Sequence, residues 1–120
     1  MNDKSGKVWG ETSVLLRKNN VEISRLEVKY SGYCSKHKHD HKFNQFFVEK
    51  GKVRIKVWKN DYDLCDETIL NEGDSMVVMP GEYHRFEAMR DSVLYEMYWV
   101  QLSSDDIERE EVGGKGWHHL

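Results

Sequence analysis

A chain of 120 residues with a net charge of −3, from 18 basic and 21 acidic side chains, offers no excess of positive charge to attract nucleic acid or an anionic membrane. With 38% hydrophobic and 32% charged residues it suits one globular domain with a core and is too apolar for a disordered segment. No apolar run is long enough to span a bilayer, and the opening MNDKSGKVWG lacks the apolar middle of a secretory signal, so the cytoplasm is the expected location, with Cys34 and Cys65 reduced.

In chain order, Thr12 to Lys18 reads as a strand, the pair Asn19-Asn20 as a turn, and VEISRLEVKY as a second strand whose apolar phase slips near Ser24, which suggests a bulge. Ser31 to Tyr33 breaks that strand. NQFFVEKG and KVRIKVW then form two strands meeting at Lys50-Gly51, with Val53, Ile55 and Val57 on one face and Arg54, Lys56 and Trp58 on the other. KNDYD is a polar loop and LCDETIL a strand ending at the NEGD turn, before the apolar run SMVVMP. Pro80-Gly81 turns the chain into EYHRFEAM, and the last strand runs from Val93 to Leu102. Beyond it, residues 103–120 form a charged, glycine-containing tail, with Ser104 or Asp105 available to cap a short helix. About nine strands with almost no helical periodicity predict an all-β jelly roll or small barrel of two antiparallel sheets over residues 1–102.

Two segments carry the chemistry. The first contains Gly32, His37, His39, Asn44 and Gly51, and the second Gly73, Asp74, Pro80, Gly81 and His84. Residues two apart on a strand share a face, so His37 and His39 can point to one ion, and His84, just after a tight Pro-Gly turn, can complete a three-ligand site from a neighbouring strand. The alternatives are a solvated, lysine-rich turn for His37 and His39 and a buried, backbone-bonded histidine for His84. His118 and His119 fall in the tail.

Together these segments resemble the paired motifs of the cupin superfamily: a glycine, HxH, a glutamate and a closing glycine, then a glycine, PxG and a histidine. Gly32, His37, His39 and Gly51 match the first, with one residue fewer between Gly32 and His37; Gly73, Gly81 and His84 match the second, with Met79 at the family's proline. The resemblance implies a double-stranded β-helix barrel holding a divalent ion (Fe, Mn, Zn or Ni). At the position of the family's metal-binding glutamate stands Asn44, a neutral and weaker ligand, and His41 and Gln45 are rivals for the fourth place. Three-histidine sites serve zinc proteins and cupin-like thiol dioxygenases that use iron. If Asn44 points into the barrel, so does Phe46, and His84 carries Phe86 with it; these two phenylalanines are the expected pocket wall.

The opening KVWGETSVLL also resembles the short cupin domain of phosphomannose-isomerase-like proteins, which implies a sugar or sugar-phosphate ligand. Lys36, Lys38, Lys42 and Arg85 would favour an anionic one, solvated surface charge being the alternative. Family likeness further implies a homodimer, with Trp58 or Tyr98 as exposed aromatics at its interface. Two classes of function remain open: a metal-dependent dioxygenase or isomerase, and a non-catalytic module that binds a small ligand.

Overall fold

The computed structural model describes residues 3–59, 64–101 and 105–119. Within them run nine strands: β1 (Asp3–Lys7), β2 (Gly10–Lys18), β3 (Val21–Val28), β4 (Phe43–Lys50), β5 (Val53–Trp58), β6 (Cys65–Leu70), β7 (Ser75–Val78), β8 (Tyr83–Ala88) and β9 (Ser92–Trp99). One sheet has the order β1-β2-β3-β9-β4-β7 and the other β6-β5-β8, every pairing antiparallel. This is the jelly-roll barrel that the period-two pattern predicts.

The alternation read in β5 holds. Val53, Ile55 and Val57 are buried, whereas Arg54 and Lys56 face outward and both bond Glu87 of β8, at 2.6 and 3.2 Å. From the larger sheet Leu26, Val28, Phe46, Val48 and Leu94 meet them in a single core. The core-facing side of that sheet is graded. Register places Glu22, Tyr98 and Asn44 side by side at one level, Ser24, Glu96 and Phe46 at the next, and Leu26, Leu94 and Val48 at the third. The barrel is thus polar at one end and hydrocarbon at the other.

Gly51 closes the hairpin between β4 and β5 with φ of +93°, a conformation that side chains with a Cβ rarely adopt. A Cβ there would also lie 2.3 Å from Ser92 Oγ and 2.6 Å from the Asp91 carbonyl oxygen. Gly51→Ala is expected to destabilise the fold by about 2–3 kcal/mol from strain and crowding together. Urea unfolding checks this, and a loss under about 0.5 kcal/mol contradicts it.

Several expectations need correction. The bulge lies in β2, where Leu15 is inserted between Val14 and Leu16, and β3 runs unbroken. The apolar phase of β3 slips because Ser24, in line with Leu26 and Val28, faces the polar half of the barrel while Val21 and Ile23 face outward. β1 went unforeseen: DKSGK has no apolar residue, and the strand exists through backbone pairing with β2. β9 ends at Trp99, and residues 105–116 contain no helix. Only a 3-10 turn at Trp117–His119 follows. The proposed domain boundary at residues 102 and 103, the Ser104 cap and most of the KNDYD loop lie outside the described residues.

Candidate metal centre

Between β3 and β4 the chain runs extended along β8 without forming a regular strand. Cys34 N–H bonds the Phe86 carbonyl at 3.3 Å, and His37 exchanges two backbone bonds with His84, at 3.1 and 2.8 Å. Three residues on this segment thus span two on β8, and the extra residue brings His37 opposite His84 with both side chains on one face. His39 N-terminal to the β4 entry is held in turn by its carbonyl, which accepts from Gly81 N–H at 2.8 Å. The Pro80-Gly81 turn therefore anchors the HxH segment as well as aiming His84.

The three imidazoles converge as the spacing implied. Ring centroids are 4.5 Å apart for His37 and His84, 5.1 Å for His37 and His39, and 5.5 Å for His39 and His84. One nitrogen from each lies within 4.8 Å of the others. Two tautomers are fixed by the backbone. His37 Nδ1 donates to the Ser35 carbonyl at 2.7 Å and His84 Nδ1 to the Glu82 carbonyl at 3.0 Å, since a carbonyl only accepts. In its neutral form each ring then carries its lone pair on Nε2. Burial, with further contributions from His37, His84 and Lys42, pushes His39 down to about 4. Burial also lowers His84, against the opposing bond to Glu82. Both rings are neutral at pH 7, the state in which imidazole binds a metal.

Asn44 reaches this cluster from the opposite sheet. Its Nδ2 donates to His84 Nε2 at 3.3 Å, while its Oδ1 is buried without a hydrogen-bond partner, as is His39 Nε2. Two polar atoms hidden from water and without partners, beside three imidazoles, form a donor set that fits a divalent transition ion. Gln45 points to the other face of β4, and His41 is exposed.

Beside the cluster opens a cavity of about 1080 Å³ whose walls include His37, Phe86, Cys34, Glu96 and Tyr98. Phe86 lines it, whereas Phe46 packs one layer deeper, edge-on to His84 and Phe86 at 6.1 and 6.3 Å. Tyr98, expected on an outer interface, instead follows Leu94 and Glu96 on the inward face, its ring 5.1 Å from His39. Glu96 was missed altogether. It is 8% exposed, and Tyr98 hydroxyl donates to its Oε2.

The four cations do not converge on the cavity. Lys36 sits 4.3 Å above Trp58, Lys38 approaches Tyr83, and Arg85 lies against Tyr33 and Trp58, all outside the smaller sheet. Lys42 alone comes near the cluster, 5.1 Å from the Tyr98 ring and close enough to act on His39. Cys34 and Cys65 are free thiols, and burial pushes Cys34 up to about 12. Among the described residues, no helix is long and apolar enough to cross a membrane.

Comparison with known proteins gives the same architecture. KdgF from Halomonas sp. superposes with a TM-score of 0.71 at 13% identity, covering 83% of this chain and 89% of that one. An RmlC-like cupin from Shewanella frigidimarina gives 0.71 at 16%, covering 88% and 87%. Oxalate decarboxylase from Bacillus subtilis, a protein described with Mn(II) centres, gives 0.72 at 12%, covering 88% of this chain but 29% of its own. At such identities the likeness speaks for fold alone. No curated protein sequence matches. A family model described as a cupin domain matches residues 24–101, most of the barrel and all of the histidine cluster, and the chain therefore belongs to the cupin family.

Proposed function

We propose that this cupin holds one divalent transition-metal ion through His37, His39 and His84 and presents it to a small molecule in the adjoining cavity. The observation that carries the reading is the convergence of three imidazole nitrogens within 4.8 Å, with two tautomers fixed by backbone carbonyls. Metal–nitrogen bonds are about 2.0–2.1 Å, so side-chain rotations of modest size suffice to gather all three onto one ion. A bound ion supplies Lewis acidity and open coordination positions. The Mn(II) centres named for oxalate decarboxylase support a divalent ion without deciding among Fe, Mn, Zn and Ni.

A binding module without turnover is the second reading, and Asn44 favours it. An amide leaves the ion's full charge at the site and already hydrogen-bonds one of the three rings. Elemental analysis of untagged protein supplied with each metal tests the first reading. One ion per chain is expected, and no bound ion at neutral pH overturns it.

Asn44→Asp sharpens the test. Two unit charges about 4 Å apart attract by roughly 4 kcal/mol at an effective dielectric near 20, so even after desolvation the aspartate is expected to tighten metal binding about tenfold or more. Without metal the carboxylate takes the place of Asn44, which is 1% exposed and has no ion pair among the described residues, and the melting temperature is expected to fall. Titration calorimetry and thermal unfolding, with and without metal, read both effects. Unchanged affinity would place residue 44 outside the coordination sphere.

A further inference from the structure

The least expected residue of the barrel is Glu96. Its neighbours across the sheet are Ser24 and Phe46, and the next inward residue below it is Leu94, which is fully buried. A carboxyl group here costs the fold stability that an apolar side chain of similar size would not. It also lies in the wall of the cavity that exposes His37. Its one hydrogen bond among the described residues comes from Tyr98, whose ring touches His39. Carboxyl, phenol and imidazole thus form a continuous line from the cavity wall to the histidine cluster.

The charges around Glu96 come from several elements. Glu22 of β3 stands on the same inward face, and Arg17 of β2 bonds Glu22 at 2.6 Å. Tyr98 lies on its own strand, while Cys34 and His37 face the cavity from the segment between β3 and β4; Phe46 on β4 carries no charge. No lysine or arginine makes an ion pair with Glu96 among the described residues. A structural carboxylate is ordinarily paired, and this one faces space that a ligand can fill.

We propose that Glu96 is a catalytic acid–base residue that moves a proton to and from a small α-hydroxy carbonyl compound bound in the cavity, with Tyr98 as its positioning residue. The hydroxyls of Thr12, Ser24 and Ser35 in the same wall suit a hydroxylated ligand. In the forward step the Glu96 carboxylate takes the proton from the carbon next to the carbonyl. The C–H bond breaks, its electron pair becomes the C=C bond of an enediolate, and the carbonyl π pair moves onto oxygen, which carries the negative charge. The proton of the neighbouring hydroxyl then passes to that oxygen, and as the oxygen it leaves re-forms a C=O bond the C=C pair takes the proton back from Glu96 at the former carbonyl carbon, giving the isomeric hydroxy carbonyl; return to the original carbon restores the substrate. No oxidant is consumed. Burial pushes the Glu96 carboxyl up to about 7, against the bond from Tyr98, so both protonation states are populated near neutrality. Tyr98, raised far above its ordinary range by burial and Glu96, keeps its proton and donates it.

This inference rests on the metal reading only for the placing of the ligand. The test is exchange of carbon-bound hydrogen in dihydroxyacetone and in glycolaldehyde, followed by NMR in D2O with zinc-supplied protein. Native protein is expected to exchange at least one of them well above background, and Glu96→Gln to be slower by at least about 100-fold at unchanged zinc stoichiometry and melting temperature. Glu96→Asp, which keeps the carboxyl but withdraws it by one methylene, is expected to lie between them and covers the case in which the glutamine variant fails to fold. Tyr98→Phe removes a bond that favours the carboxylate, so the midpoint of the rate's rise with pH should move upward. Exchange by Glu96→Gln at the native rate, or no exchange of either compound by native protein, overturns the proposal. Zinc bound without exchange sinks this inference and leaves the metal reading standing, whereas exchange without zinc does the reverse.

Discussion

His84→Ala is expected to strip the protein of its metal, lowering affinity by more than about 100-fold, because even the residues that merely orient metal ligands are worth 10- to 100-fold. His84 sits at the junction of everything that defines the site: its backbone pairs with His37, its Nδ1 is tied to Glu82, and its Nε2 faces Asn44 across the barrel. Removing the ring also leaves Asn44 Nδ2 buried without an acceptor, at a cost of about 1–3 kcal/mol. A folding defect can therefore mimic metal loss. His37→Ala separates the two, since His37 is half-buried and, among the described residues, its ring hydrogen-bonds only Ser35. Both variants should bind no ion by elemental analysis, while His37→Ala retains more of the native melting temperature. Native metal content in either one would remove that histidine from the site.

Phe46→Ala is expected to cost about 3–5 kcal/mol, a large share of the 5–15 kcal/mol that holds a domain together. Phe46 is fully buried, flanked by Glu96 in the sheet and edge-on to both His84 and Phe86. It supports the cluster from behind, so its truncation opens a void beneath His84 that rigid strands close poorly. Denaturant unfolding checks the magnitude, and a loss under about 1 kcal/mol would mean that the barrel collapses onto the void.

The histidines were legible in the sequence because ligand type, spacing and order along the chain carry the signal whatever their burial. The barrel was legible for a similar reason: β5 alternates without ambiguity, and glycines mark the turns around it. Glu96 and Tyr98 were not legible, because in β9 both faces carry large apolar side chains. Val93, Tyr95, Met97 and Trp99 look as much like a core face as Leu94 and its companions, and a glutamate ordinarily marks the solvent side. The usable signal was the register, which only the assembled sheet supplies: opposite Ser24 and Phe46 the glutamate must point inward. The misplaced bulge has the same origin. Ser24 interrupts an apolar phase because it faces a polar cavity, and the extra residue lies instead in the partner strand.

The order β1-β2-β3-β9-β4-β7 also has a consequence for the growing chain. The strand that joins β3 to β4 is β9, the last of these nine to be synthesised. On a ribosome delivering about 5–20 residues per second, the smaller sheet and the β4–β7 pair can assemble in turn, while the β1–β2–β3 meander waits as a separate ribbon with its β3 edge open. That interval ends only when Trp99 emerges, and until then the edge is available to a chaperone or to another nascent chain.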